Sequence, residues 1–422
     1  MNRQRIYLCL ARMSEAGFEQ KYIKEAFDTN WVVPLGPNVN AFEEDLEQFV
    51  CRGFSAQQRK KVVALSAGTA AVHLALLACG VGQGDEVIIQ SFTFCASANP
   101  VAYLGATPVF VDSERDTWNI DPFLLEEAIK DRIAKTGRKP KAIVPVTLYG
   151  MPYQVDKIME IAIRYDIPVV EDAAEGFGSC FDGQVLGTFG HFGVLSFNGN
   201  KMITTSGGGA LICADDAAKQ QIMWYATQAR EAYPYYQHEA IGYNYRMSNI
   251  CAGIGRGQMM VADYHIAHHK HVFELYSELL KDVDGIIVHG NPSDRYDSNF
   301  WLNTVTIDPS LHIKGQEDAY RSTIKGAVGG AGGVVHASDM AHTDCEPNAN
   351  VEALRIMLDK NGIESRPLWK PMHKQPVFKD APVYENGVSE ELFKVGMCLP
   401  SGPCVSEDDV KYIVDCIKKA VL

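Results

Sequence analysis

Residues 84–112 read GDEVIIQSFTFCASANPVAYLGATPVFVD. Val87–Gln90 is one short apolar run, Ala96–Leu104 carries helical spacing, and Pro108–Val111 is a second apolar run. Apolar runs without alternation are buried on both faces, so the segment predicts two parallel strands joined by a helix. The theme extends in both directions. KVVALSAGTAAVHLALLACGV (61–81) is a strand, a small-residue turn (Ser66, Ala67, Gly68, Thr69) and a helix ending at Gly80. KAIVPVTLYG (141–150) and IPVVEDAA (167–174) are further strands, separated by the helix QVDKIMEIAIRYD. The alternation predicts an α/β chain with a mostly parallel central sheet sandwiched by helices, whose functional groups lie just beyond the carboxyl ends of the strands.

With 422 residues the chain exceeds what one core supports, roughly 250–300 residues. A large domain over 1–270, opening with a helical segment, and a smaller α/β domain over 271–422 are expected. In the first, SEAGFEQKYIKEAFD (14–28) and Asn40–Val50 have helical periodicity, and a helix is expected over Ile250–Lys270. In the second, a helix to Lys281, the strands GIIVHG and NFWLNTVTI and a helix over Asn350–Asn361 surround a glycine-rich insertion near 325–335. The net charge of −13 argues against a nucleic-acid surface. Eleven scattered cysteines without a C-x-x-C pair point to reduced thiols in a cytoplasmic protein. No apolar run is long enough for a signal peptide or a membrane span, so no membrane partner is expected.

SFNGNKMITTSGGGAL (196–211) places Lys201 in a polar turn between two apolar strands, followed by a glycine run that lets a flat ligand approach the backbone. Ser196 and Ser206 offer hydroxyls to an anion. A lysine held there can form a Schiff base with a carbonyl, whereas an isolated loop lysine is usually just solvated. The turn at Gly68 and Thr69 opens a helix whose free N–H groups suit a phosphate, or it is a plain strand-to-helix connection. Asp172 directly follows a strand; it is either a helix cap or a buried carboxylate needing a cation, such as a protonated pyridine nitrogen. Arg230, His238, Asn244, Tyr245 and Arg246 fall in an aromatic and polar loop that reads as a binding or subunit-contact loop. Arg366, Trp369, Lys370 and His373 lie on a proline-stiffened segment that either lines a nucleotide pocket or makes a rigid surface connection. His265 and His269 have i, i+4 spacing without supporting carboxylates, so no metal site is expected.

The ordered motifs LSAGTAAVHLAL, SFTFCASAN, VTLYGMPYQVD, VVEDAAEGFGS, LSFNGNKMITTSGGGALI, IGYNYRMSNI and RPLWKPMHKQP span nearly the whole chain. Together they resemble the DegT/DnrJ/EryC1/StrS family of pyridoxal-phosphate-dependent sugar aminotransferases, of fold type I. The resemblance implies that Lys201 holds the cofactor covalently and shuttles protons, and that Asp172 keeps the pyridine nitrogen protonated. It implies further that Gly68, Thr69 and Ser196 hold the phosphate and that Phe94 stacks on the ring. Asn244 would reach the phosphate of the neighbouring subunit, which makes a homodimer with shared sites part of the expectation. Glu175 stands where many members have histidine or glutamine near the cofactor's phenolic oxygen, and the usual G-E-G-G appears as Ser206-Gly207-Gly208-Gly209. Arg230, His238, Arg246, Lys370 and His373 are the substrate-binding candidates.

The implied reaction moves an amino group from L-glutamate to a nucleotide-linked keto-deoxyhexose. RPLWKPMHKQP resembles members acting at C4 of UDP-2-acetamido-4-keto-6-deoxyhexoses, for surface glycan synthesis. The alternatives are a sugar dehydratase of the same family, whose members carry histidine in place of the lysine, and a non-catalytic pyridoxal-phosphate-binding regulatory protein. A nicotinamide oxidoreductase is disfavoured because no G-x-G-x-x-G follows the first strand.

Overall fold

A computed structural model describes residues 4–322 and 345–421; the glycine-rich insertion near 325–335 lies outside them. The central sheet is built from β1 (Lys61–Leu65), β2 (Glu86–Gln90), β3 (Thr107–Val111), β4 (Ala142–Val144), β5 (Val170–Asp172), β6 (Phe192–Ser196), β7 (Gly209–Cys213) and β8 (Val383–Tyr384). Their order across the sheet is β1-β7-β6-β5-β4-β2-β3-β8, with β4 and β5 joined by the parallel bridges Ile143↔Val169 and Val146↔Asp172. Every pairing is parallel except the two made by β7. The other seven strands therefore end on one side, where Asp172, Ser196 and the turn after Leu65 come together.

The unbroken apolar runs are explained by burial of both sheet faces. Val62, Ala64, Ile88 and Val109 belong to one buried cluster, while Val63, Leu65, Val87 and Ile89 belong to another. The helix Gly68–Ala78 is buried almost all round, from Ala70 to Leu76, as its alanine- and leucine-rich sequence requires. Val155–Tyr165 covers the sheet with one stripe only, burying Val155, Ile158, Ile161 and Ala162.

A second sheet, ordered Ile286–Val288, Asn303–Ile307, Gly396–Leu399, Arg366–Pro367, is antiparallel throughout. Val305, Leu354, Leu399 and Ile413 share its core. The boundary expected at 270/271 falls inside one continuous helix, Ala262–Leu280. Moreover β8, from the C-terminal segment, pairs onto β3 of the central sheet, so the two segments are interleaved.

Two expected helices are divided. Ile250–Lys270 is replaced by Asn249–Met259 and the start of Ala262–Leu280. The first piece presses its glycines onto the N-terminal helices: a Cβ on Gly255 would lie 2.6 Å from the Phe42 ring, and one on Gly257 2.5 Å from the Glu19 amide. Ala96–Leu104 becomes a 3-10 turn, Cys95–Ser97, and a short helix, Asn99–Tyr103. Pro100 can sit only in a first turn, so the helix restarts there.

Candidate active site

In β5 side chains alternate between the two faces of the strand, which separates two adjacent carboxylates. Glu171 is wholly buried and accepts from the N–H groups of Gly187 (2.9 Å), Phe189 (2.7 Å) and Gly190 (2.5 Å). Its acceptor capacity is used structurally. Asp172 faces the other way, is also buried, and accepts from the Ser97 hydroxyl at 2.6 Å and the Ala174 N–H at 3.2 Å. Burial pushes the Asp172 carboxyl up, while Ser97, the Ala174 N–H and the Lys201 charge hold it back.

Lys201 follows β6 in the turn expected for it. Its side chain is 14% exposed and its Nζ lies 3.5 Å from Glu175 Oε1. The other oxygen of Glu175 accepts from the Tyr149 N–H at 2.7 Å. Burial raises the Glu175 carboxyl, the Lys201 charge opposes that most strongly, and Asp172 adds to the rise. One amine thus serves two buried carboxylates, one cation short of the charge balance a buried cluster needs. A pyridine nitrogen carrying a proton would supply the second cation.

Beside this cluster the helix Gly68–Ala78 starts from Ala67 in extended conformation, and no side chain caps its first N–H groups. A Cβ on Gly68 would come within 3.0 Å of Ser196 Cβ and 3.3 Å of its Oγ. A Cβ on Gly209 would collide with the Gly68 nitrogen and the Ala67 backbone. Three chain segments therefore converge on an uncapped helix N-terminus with the Ser196 hydroxyl alongside, and the donors suit a phosphate. The altered glycine motif fits this packing. Gly208 and Gly209 are crowded, whereas nothing lies within 4 Å of a Cβ on Gly207. Ser206 holds φ 73, a left-handed conformation that glycine adopts more easily.

Phe94 is half exposed on the loop after β2, its ring centroid 5.2 Å from that of Trp369. The Trp369 N–H donates to the Tyr149 hydroxyl at 2.7 Å and the Met372 N–H to the Ser91 carbonyl at 2.8 Å. These bonds pin the proline-stiffened segment over the loop after β2 and place half-buried Lys370 there. His373 is turned inward, 2.6 Å from Ser91 Oγ through Nδ1 and 3.2 Å from Glu385 through Nε2, and burial lowers its pKa. Arg246 is likewise internal: its guanidinium pairs with Glu43 at 2.6 Å and donates to the Ala64 carbonyl at 2.9 Å. Both side chains are therefore engaged by partners within the fold.

Arg230 and His238 face each other across the base of an exposed loop. The Arg230 guanidinium lies over Tyr236 at 4.4 Å, and the His238 ring donates to the Gln228 carbonyl at 2.8 Å. Asn244 is exposed on the segment bridged to Thr227. His265 and His269 are buried in the interior. Ser97, Tyr149, Asn299 and Trp301 are site residues that pattern reading did not single out. For Ser97 the signal was a hydroxyl following a strand end; for Asn299 and Trp301 the apolar run concealed a break at Phe300, which holds φ 49.

Comparison with known proteins agrees with this geometry. The model of the DegT/DnrJ/EryC1/StrS aminotransferase family matches residues 14–342 and 333–418. The chain is 41% identical over 416 residues to Bacillus subtilis EpsN, provisionally named a pyridoxal phosphate-dependent aminotransferase, covering 98% of this chain and 95% of that one. It is 32% identical to the GDP-perosamine synthase of Escherichia coli O157:H7, covering 98% of each. The crystal structure of a DegT DnrJ EryC1 StrS aminotransferase from Brucella abortus superposes with a TM-score of 0.79 at 27% identity, covering 96% of this chain and 95% of the other. A buried lysine-carboxylate cluster beside an uncapped helix start, on a fold shared with these proteins, leads to one conclusion: the chain belongs to the DegT/DnrJ/EryC1/StrS aminotransferase family and is a pyridoxal phosphate-dependent sugar aminotransferase.

Proposed function

We propose that the protein moves an amino group from L-glutamate to C4 of a UDP-2-acetamido-4-keto-6-deoxyhexose, in the cytoplasm, on the way to a surface glycan. The observation that carries this reading is Lys201, nearly enclosed and 3.5 Å from Glu175, beside the buried Asp172. Pyridoxal phosphate, when bound, supplies a carbonyl that exchanges amines and a ring that accepts the electron pair of a broken C–H bond. Lys201 would hold the cofactor through Nζ and, when that amine is free, would take up and return protons within the site. Asp172 would keep the ring nitrogen protonated. The N–H groups of Gly68 and Thr69 and the Ser196 hydroxyl would hold the phosphate, and Phe94 would cover the ring. Glu175 takes up the Lys201 charge whenever the amine is free. On the sugar ketone the same groups work in reverse.

Several features support the finer points. The segment RPLWKPMHKQP supports the C4 assignment, and its position over the loop after β2 sets the Trp369 ring against Phe94. The exposed loop bearing Arg230, His238 and Asn244 supports a homodimer in which Asn244 reaches the phosphate in the other subunit's site. The relative named for a GDP-linked sugar makes the base a separate question, so both nucleotides belong in the test.

The experiment is a visible spectrum of the purified holoenzyme before and after L-glutamate, then after a UDP- or a GDP-linked 4-keto-6-deoxyhexose. A lysine-linked band that is lost with glutamate and restored by the UDP-sugar is expected. Restoration by the GDP-sugar alone overturns the nucleotide, and a band that ignores both sugars overturns the acceptor class.

A further inference from the structure

Besides Glu175, the Lys201 amine has a second neighbour. Its Nζ lies 4.0 Å from the ring centroid of Trp301. An ammonium at that distance from an indole face is attracted by the ring's quadrupole. Trp301 is 2% exposed, and its Nε1–H donates to the carbonyl of Asn200 at 2.7 Å. Because Asn200 precedes Lys201, one peptide unit registers the indole against the lysine.

The backbone that carries Trp301 is fixed from several sides. The Trp301 N–H donates to Asn299 Oδ1 at 2.8 Å, and Asn299 Nδ2 donates to the carbonyls of Glu175 (2.9 Å) and Phe177 (3.0 Å). The intervening Phe300 has φ 49, a costly conformation for a bulky residue, and its carbonyl accepts from His269 Nδ1–H at 3.2 Å. A residue held in such a conformation by its surroundings is a recurrent sign of a functional constraint. Here the constraint turns the next side chain towards Lys201, and the same asparagine ties it to the peptide carrying Glu175. The amine is thus held between a carboxylate and an indole face, with little of the side chain open to water.

We infer that the indole face of Trp301 is the seat of the Lys201 amine whenever that amine is not covalently engaged, which makes Trp301 a positioning residue that aims Nζ for recapture of the cofactor. The inference rests on the reading of Lys201 as the cofactor-bearing lysine. In turnover, recapture would be an exchange in which the C=N bond to Nζ forms as the bond to the product amine breaks and that amine leaves; with the free cofactor aldehyde it is a condensation that releases one water.

Cofactor-free protein mixed rapidly with pyridoxal phosphate tests this through the rate at which the lysine-linked band appears. Equilibrium binding of pyridoxamine phosphate, which offers Lys201 no carbonyl, is measured alongside. Trp301→Leu is expected to slow linkage about tenfold, and Trp301→Phe, which keeps a π face, less than about threefold. Both are expected to bind pyridoxamine phosphate like the wild type. A Trp301→Leu linkage rate within about twofold of wild type overturns the proposal. So does a loss of pyridoxamine phosphate binding equal to the slowing, which would assign Trp301 to general packing. If the wild type forms no band that Lys201→Met lacks, the underlying reading of Lys201 fails and the proposal falls with it. Should Trp301→Leu not fold, tryptophan emission of cofactor-free wild type and Lys201→Met decides. Removing the cation is expected to change the emission, and the change should vanish when both proteins carry Trp301→Phe. Identical emission from wild type and Lys201→Met overturns the proposal.

Discussion

Ser97 donates its hydroxyl hydrogen to Asp172 Oδ2 at 2.6 Å, and Thr93 Oγ1 stands 2.8 Å behind it as donor to Ser97. The aspartate is thereby oriented by a relay of two hydroxyls from the loop after β2. Ser97 is also the strongest of the influences that oppose the burial-driven rise of the Asp172 carboxyl. Ser97→Ala should lower kcat/KM about tenfold or more, the weight of a hydrogen bond to a buried charge. It should also move the acid limb of the pH–rate profile upwards, because Asp172 then takes its proton at higher pH. An unmoved acid limb would detach Ser97 from the chemistry.

Asp172 is expected to cost stability for the sake of the site. A carboxyl raised by burial binds its proton more tightly folded than unfolded. Its cost is therefore present above the folded pKa and fades as pH falls towards the unfolded value, about 3.9. Cofactor-free Asp172→Asn should melt above the wild type at about pH 8, with the gap closing towards about pH 4. Turnover should fall by about 10²–10³. Parallel melting curves across this range would refute the linkage.

Lys201→Ala should abolish turnover while the fold persists. Lys201 is the main influence holding the Glu175 carboxyl down, so its loss raises that group further. The cofactor-free variant should then lose stability with rising pH more steeply than the wild type, read from melting temperatures as pH rises from the unfolded carboxyl value, about 4.3.

The glycine run can be tested at its two kinds of position. Gly209→Ala puts a methyl into the backbone at the start of the helix Gly68–Ala78. It should destabilise by about 1–3 kcal/mol and weaken pyridoxal phosphate binding, measured by melting and by titration. Ser206→Gly relieves a left-handed residue and should gain up to about 1 kcal/mol with little change in binding.

The mostly parallel sheet, and the positions of Lys201 and Asp172 next to its strands, could be read from the chain because buried parallel strands leave continuous apolar runs and their ends gather on one side. The partners of those residues could not. Ser97 meets Asp172 across 75 positions of sequence, and Trp301 reaches Lys201 through a backbone break that apolar pattern does not record. Arg246 and His373 show the converse limit: their residue type suggested substrate contact, yet Glu43 and Ser91, distant in sequence, draw them inward. Periodicity reports which face is buried; it carries no information on which polar groups meet there.

The edge strand β8 sets a schedule for synthesis. β3 exposes its free edge as soon as it folds, and that edge is covered only when Val383 and Tyr384 pair with Phe110 and Val111. Asp112, just beyond β3, is buried and accepts the N–H groups of Asn386, Gly387 and Ser389 from the C-terminal segment, besides that of its neighbour Ser113. A ribosome adding roughly 5–20 residues per second leaves the nascent chain with this open edge for tens of seconds. Messages truncated before residue 383 should therefore yield a sticky sheet rather than a usable half-enzyme, and the growing chain is a natural client for chaperones that shield strand edges.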